Sequence, residues 1–125
     1  MSKWKIKIMI KDIILEAELL DTKTAGEIAN ALPIETHPEE WGDEFYFEIP
    51  VEMSLDDTAT TKVKVGDIGY WPPGNALAIF FGPTPISRSS EPVPASEVNL
   101  VGRIIGDATI LKKVKGAGKI RIEKA

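Results

Sequence analysis

The sequence contains no cysteine, which excludes a disulfide framework, a thiolate nucleophile and a zinc-thiolate site. Glutamine is also absent and asparagine scarce, whereas Lys, Glu and Ile are plentiful, a balance that leans toward a thermophilic source. No apolar run approaches the ~18 residues of a membrane span, and the start has lysines but no hydrophobic segment or small-residue cleavage site. The expectation is a cytoplasmic protein with no membrane association. The one histidine, His37, stands beside Pro38 with Glu35, Glu39 and Glu40 nearby. With no second histidine and no metal-ligand spacing it reads as a solvated loop residue, so no metal or cofactor is expected. The net charge of −4 gives nucleic acid no general attraction. Lys112, Lys113, Lys115, Lys119, Arg121 and Lys124 make the C-terminal end basic, but without an RNA-binding signature they read as a solubilising surface.

What is present is a chain of 125 residues, 43% hydrophobic, the size of one domain spanning 1–125. Trp4, Ile6, Ile8 and Ile10 alternate with polar neighbours, and Ile13, Leu15, Ala17 and Leu19 repeat the pattern after Lys11-Asp12. A hairpin is the simplest reading, with Lys3, Lys5 and Lys7 facing Glu16 and Glu18. Thr24 and Glu27 fit a capping box for one short helix, whose stripe is Ala25, Ile28, Ala29 and Leu32 and whose end is set by Pro33. Glu44 to Ile49 reads as a strand with Phe45, Phe47 and Ile49 on one face; a short strand is expected around Val63 and Val65. Leu100 to Ile105 and Lys119 to Glu123 complete the sheet. The polar, proline-containing stretch from Arg88 to Val98 is long for a connection and reads as a functional or a mobile loop. Many short strands with turns between them point to a mainly β barrel.

The centre of the pattern is Gly66 to Ser87. Tyr70 and Trp71 run into Pro72-Pro73-Gly74-Asn75, which must reverse the chain, and Gly74 is the residue expected in a left-handed conformation. Ala76 to Phe81 is then apolar on both faces, too short for an ordinary helix and bounded by breakers, hence a buried strand. Gly-Asp-Ile-Gly-Tyr-Trp-Pro-Pro-Gly-Asn-Ala from Gly66 and Ile-Phe-Phe-Gly-Pro-Thr-Pro-Ile-Ser from Ile79 resemble the signature of a small prokaryotic family of cyclophilin-like proteins. Ala-Leu-Pro-Ile from Ala31 and Trp-Gly-Asp-Glu from Trp41 extend the resemblance, which covers roughly residues 24 to 105. It implies a single closed cyclophilin-like β-barrel of about eight strands and no settled biochemical role.

Cyclophilins that isomerise prolyl bonds carry Phe-His-Arg and Gln-Phe-Phe segments, the Arg being essential. Here Phe47-Glu48-Ile49-Pro50 and Ile79-Phe80-Phe81 are the nearest stretches, so the resemblance to the fold does not extend to those groups. Asp43, Glu44, Glu48, Asp56, Asp57 and Asp67 read mostly as surface charges, and Ser87, Ser89 and Ser90 lack a nucleophile elbow. The aromatics Trp41, Tyr46, Phe47, Tyr70, Trp71, Phe80 and Phe81 concentrate in the matching segments. On the apolar strand only one face can point inward; the other must be covered or form a groove. The reading gives that groove to Leu77, Ile79 and Phe81, edged by Tyr46, Trp71, Thr84, Ser87 and Arg88, with Phe80 in the core. The expected function is a binding module for a small molecule or peptide segment. An enzyme, either a residual prolyl isomerase or a subunit of an amide-processing complex, is the alternative, and self-association or a partner subunit stays open.

Overall fold

The computed structural model describes residues 2–125. Strands β1 (Ser2–Ile10) and β2 (Ile13–Leu20) form the hairpin that the alternation implies. Ile6, Ile8, Ile10, Leu15, Ala17 and Leu19 are buried, while Lys5 stands opposite Glu18 and Lys7 opposite Glu16 on the wet face. The two-residue turn places Lys11 at φ 51°, a conformation that a side chain disfavours.

Helix α1 (Lys23–Ala31) follows, with Ala25, Ile28 and Ala29 buried as the periodicity requires. Its N-cap is Thr22, not Thr24: the Thr22 hydroxyl accepts from Ala25 N at 3.1 Å. Thr24 is fully buried and serves a polar cluster instead. Its hydroxyl donates to Asp56 Oδ2 (2.8 Å) and accepts from Asn99 Nδ2 (3.3 Å), and Asn99 also donates to Ser54 O. Asn99 Oδ1 in turn accepts from Asp56 N, so the irregular 53–58 stretch is fastened to the sheet by partly buried hydrogen bonds.

The remaining strands are β3 (Ile34–Thr36), β4 (Glu39–Glu40), β5 (Glu44–Glu48), β6 (Ala59–Thr60), β7 (Asp67–Trp71), β8 (Ala76–Phe80), β9 (Val98–Ile104) and β10 (Ile120–Lys124). They run β3-β10-β1-β2-β9-β7-β8-β5-β4, with β6 on β9, giving a mainly β fold built on one curled sheet. The expected closed barrel is corrected in one respect: the end strands β3 and β4 do not pair. They are consecutive in the chain, joined by His37 and Pro38, and the 115–118 segment latches the seam. There Gly116 N donates to Glu40 and the His37 ring meets Gly118 O at 3.0 Å.

Two other expectations change. Val63 is buried but lies outside any ladder, because the strand forms earlier, at β6. The left-handed residue after the 3-10 turn Pro72–Gly74 is Asn75 (φ 47°), not Gly74. Gly74 is instead favoured by proximity: a Cβ there would sit 3.0 Å from the Trp71 ring, which would have to give way slightly.

The core fills the concave side of the sheet. Phe45, Phe47, Ile68, Tyr70, Leu77, Ile79 and Phe81 all join it, and the Phe45 and Phe81 rings lie 4.7 Å apart. Tyr70 Oη donates to Val51 O (2.6 Å) and accepts from Met53 N (3.1 Å), which satisfies its hydroxyl inside the core. A second, smaller cluster of Val63, Ala78, Phe80 and Val98 lies on the outer side, flanked by Tyr46 and Trp71. Gly69 makes it fit, since a Cβ there would come within 2.7 Å of Val98.

Candidate functional site

The antiparallel pairing of β5 with β8 decides what lies on the outer side. Phe45 stands opposite Ile79 and Phe47 opposite Leu77, all inward. Glu44 opposite Phe80, Tyr46 opposite Ala78 and Glu48 opposite Ala76 therefore share the other face. The 83–98 segment crosses this face as a strap, and between strap and sheet lies a groove of about 150 Å³. Trp41, Glu44 and Tyr46 form one side of it; Trp71, Val98, Pro94 and Ala95 form the other.

Local chemistry holds each wall. Gly42, at φ 62°, brings Trp41 and Glu44 round a turn pressed against the strap, where a Cβ would meet Pro83 O and Thr84 Cα at 2.9 Å. Asp43 anchors the same turn through Lys115 (3.0 Å) and Lys112 (3.8 Å). On the other wall the Trp71 indole donates to Ser96 Oγ at 2.7 Å, tying the ring to the strap.

Glu44 is the unusual member. Only 7% of it is exposed, and among the described residues nothing donates to its Oε1. Burial pushes its carboxyl up from 4.5 to about 8, so it holds a proton at neutral pH. A protonated acid in an aromatic groove can donate one hydrogen bond, or ionise for a cation that compensates the charge.

Of the residues expected to bind ligand, Tyr46 and Trp71 line this groove. Leu77, Ile79 and Phe81 do not: they are 1%, 0% and 0% exposed within the main core, and Phe80 is the outward phenylalanine. The two faces of β8 were distinguishable only through its partners, because both are apolar. Thr84 and Ser87 shape the strap rather than the groove. The Ser87 hydroxyl accepts from Thr84 N (2.9 Å), and the Thr84 hydroxyl donates to Val93 O (2.6 Å). Arg88 is exposed and outside the groove. Sequence reasoning missed Glu44 as a site residue by counting it among the surface charges. The alternation of β5 puts Glu44 on the same face as Tyr46, but nothing along the chain marks it as buried.

The family model described as cyclophilin-like matches residues 4–123, further toward both ends than the motifs alone reach. No curated protein matches the sequence. Among solved structures, the solution structure of the hypothetical protein AF2241 from Archaeoglobus fulgidus is similar, at 36% identity and a TM-score of 0.83. That alignment covers 99% of this chain and 96% of the archaeal one. No helix is long and apolar enough to cross a membrane among the described residues. With the family model spanning nearly its whole length, this chain belongs to the cyclophilin-like family.

Proposed function

We propose that the protein is a binding module for a small molecule or a peptide segment, that the outer groove of β5, β8 and the strap is its ligand site, and that it has no ordinary prolyl isomerase activity. The observation that carries this reading is Glu44, a buried carboxyl with an oxygen left unpaired beside three aromatic rings. An orphaned buried polar group costs about 1–3 kcal/mol, a cost a site can recover when a ligand supplies the partner. The lack of isomerase activity is supported by the groove lining, which contains no arginine among the described residues. Glu48 is exposed and Ile49 is core, so neither offers a cation to a prolyl nitrogen.

A thermal-shift panel of amines, amides, small acids and proline peptides tests the binding role, because a ligand that prefers the native state raises the melting temperature. A hit should also perturb Trp41 and Trp71 fluorescence and be lost in Trp71→Ala. If hits persist unchanged in Trp71→Ala, the ligand site lies elsewhere. A protease-coupled assay on an Ala-Pro peptide should show no rate above background; turnover like that of an authentic cyclophilin would refute the second half of the reading.

A further inference from the structure

The polar content of the groove is acidic and its apolar content aromatic. Glu44 supplies the one carboxyl, and Trp41, Tyr46 and Trp71 supply rings. An adjoining groove shares Tyr46 and Trp71 as walls and adds Glu39, Glu48 and His37. Among the described residues neither groove is lined by a lysine or arginine. An anion is therefore disfavoured, and a neutral apolar group would leave Glu44 Oε1 as unpaired as it stands.

A cation uses both features, since aromatic faces attract it and a carboxylate neutralises it. A primary ammonium has three N–H donors to satisfy and would find few acceptors here, whereas methyl groups suit aromatic walls. About 150 Å³ holds a headgroup of roughly benzene size and falls short of the ~300 Å³ at which drug-sized pockets begin. Resting on the groove being the ligand site, we propose that it binds a methylated organic ammonium ion, with Glu44 as counter-charge and Trp41, Tyr46 and Trp71 as the aromatic wall.

The binding is coupled to a proton. Glu44, raised to about 8, must ionise to serve the cation, so binding releases its proton. Around it stand Tyr46 on its own strand, Phe80 opposite on β8, and Trp41, Trp71, Pro94 and Val98 from the other elements. None of these is a second carboxyl, a histidine or a lysine. The adjacent Asp43 is already paired with Lys112 and Lys115.

The test is titration with choline and with 3,3-dimethylbutan-1-ol, its uncharged carbon isostere, by calorimetry and tryptophan fluorescence from about pH 6 to pH 9. Choline should bind at least about tenfold more tightly. Its affinity should rise toward tenfold per pH unit and level off above about pH 8, with proton release visible as a dependence on buffer ionisation heat. Glu44→Gln, verified as folded, should lose the pH dependence and most of the preference, keeping only what the aromatic wall contributes. Equal affinity for the two compounds, or a flat pH profile, overturns the cation assignment but leaves the groove as a site. If neither binds while an amide or peptide from the wider panel does, the cation assignment alone falls. If nothing in the panel binds, the groove reading falls with it.

Discussion

At the scale of single residues, Glu44 carries the most testable consequence. Its folded pKa lies above its unfolded value, so between about pH 4.5 and 8 the native state keeps a proton that the unfolded chain has released. The stabilisation is fully present below that window and is lost as pH rises through it, by at most about 1.4 kcal/mol per pH unit. Urea unfolding of the wild type from about pH 5 to pH 8 should therefore show a falling midpoint. Glu44→Gln should flatten that fall and be the more stable protein at the alkaline end; parallel curves would mean that Glu44 is ionised when folded. Asp56 behaves oppositely. Burial pulls its carboxyl up, but hydrogen bonds from Thr58 and Thr24 outweigh it and hold the group below 3.8. Its contribution is present above that pH and lost on further acidification, outside the Glu44 window.

At the scale of elements, β8 is buried on both sides, and its last residue Phe80 should be separable from the following Phe81 by what each one touches. Phe81→Ala empties part of the main core against Phe45 and should cost about 3–5 kcal/mol. Phe80→Ala opens the smaller outer cluster and should cost less, yet it alone should weaken binding in the groove, since Phe80 lies opposite Glu44. Calorimetric melting and ligand titration on the two variants check this; a ligand indifferent to Phe80→Ala would place the groove elsewhere. Gly74→Ala makes a finer probe. Its new Cβ would press on the Trp71 ring, so tryptophan fluorescence should change while stability moves by less than about 1 kcal/mol. In the β1-β2 turn, Lys11→Gly should stabilise by about 0.5–1 kcal/mol by relieving a positive φ, read as a rise in melting temperature.

At the scale of the whole molecule, stability should be uneven around the sheet. The central ladders join the long strands β1, β2 and β9, of nine, eight and seven residues, whereas the path ends in β3 and β4, of three and two. Amides of β3 and β4 should exchange with solvent far faster than those of β1 and β2, because each is a short edge strand held by a ladder of two or three residues on one side and by the 115–118 latch at the seam. Equal protection around the sheet would show that the seam is closed as firmly as a ladder. Asn99→Ala should accelerate exchange in the 53–58 stretch, since that side chain accepts from Asp56 N and donates to Ser54 O.

Much of this was legible in the chain. Period-two alternation gave the inward faces of β1, β2 and β5, because in each of them one face is polar and the pattern has a sign. The Gly-Asp-Ile-Gly-Tyr-Trp-Pro-Pro-Gly-Asn motif marked the β7-β8 reversal, because prolines and a left-handed residue cannot continue a ladder. Only tertiary structure decided the rest. Ala76 to Phe81 is apolar at every position, so its alternation has no sign until pairing with Phe45 and Phe47 turns Leu77, Ile79 and Phe81 inward. Glu44 likewise looks like any exposed carboxylate along the chain. Its burial comes from Trp41 beyond a glycine turn, Trp71 from β7 two strands away and a strap some fifty residues later, and desolvation depends on what surrounds a group in space.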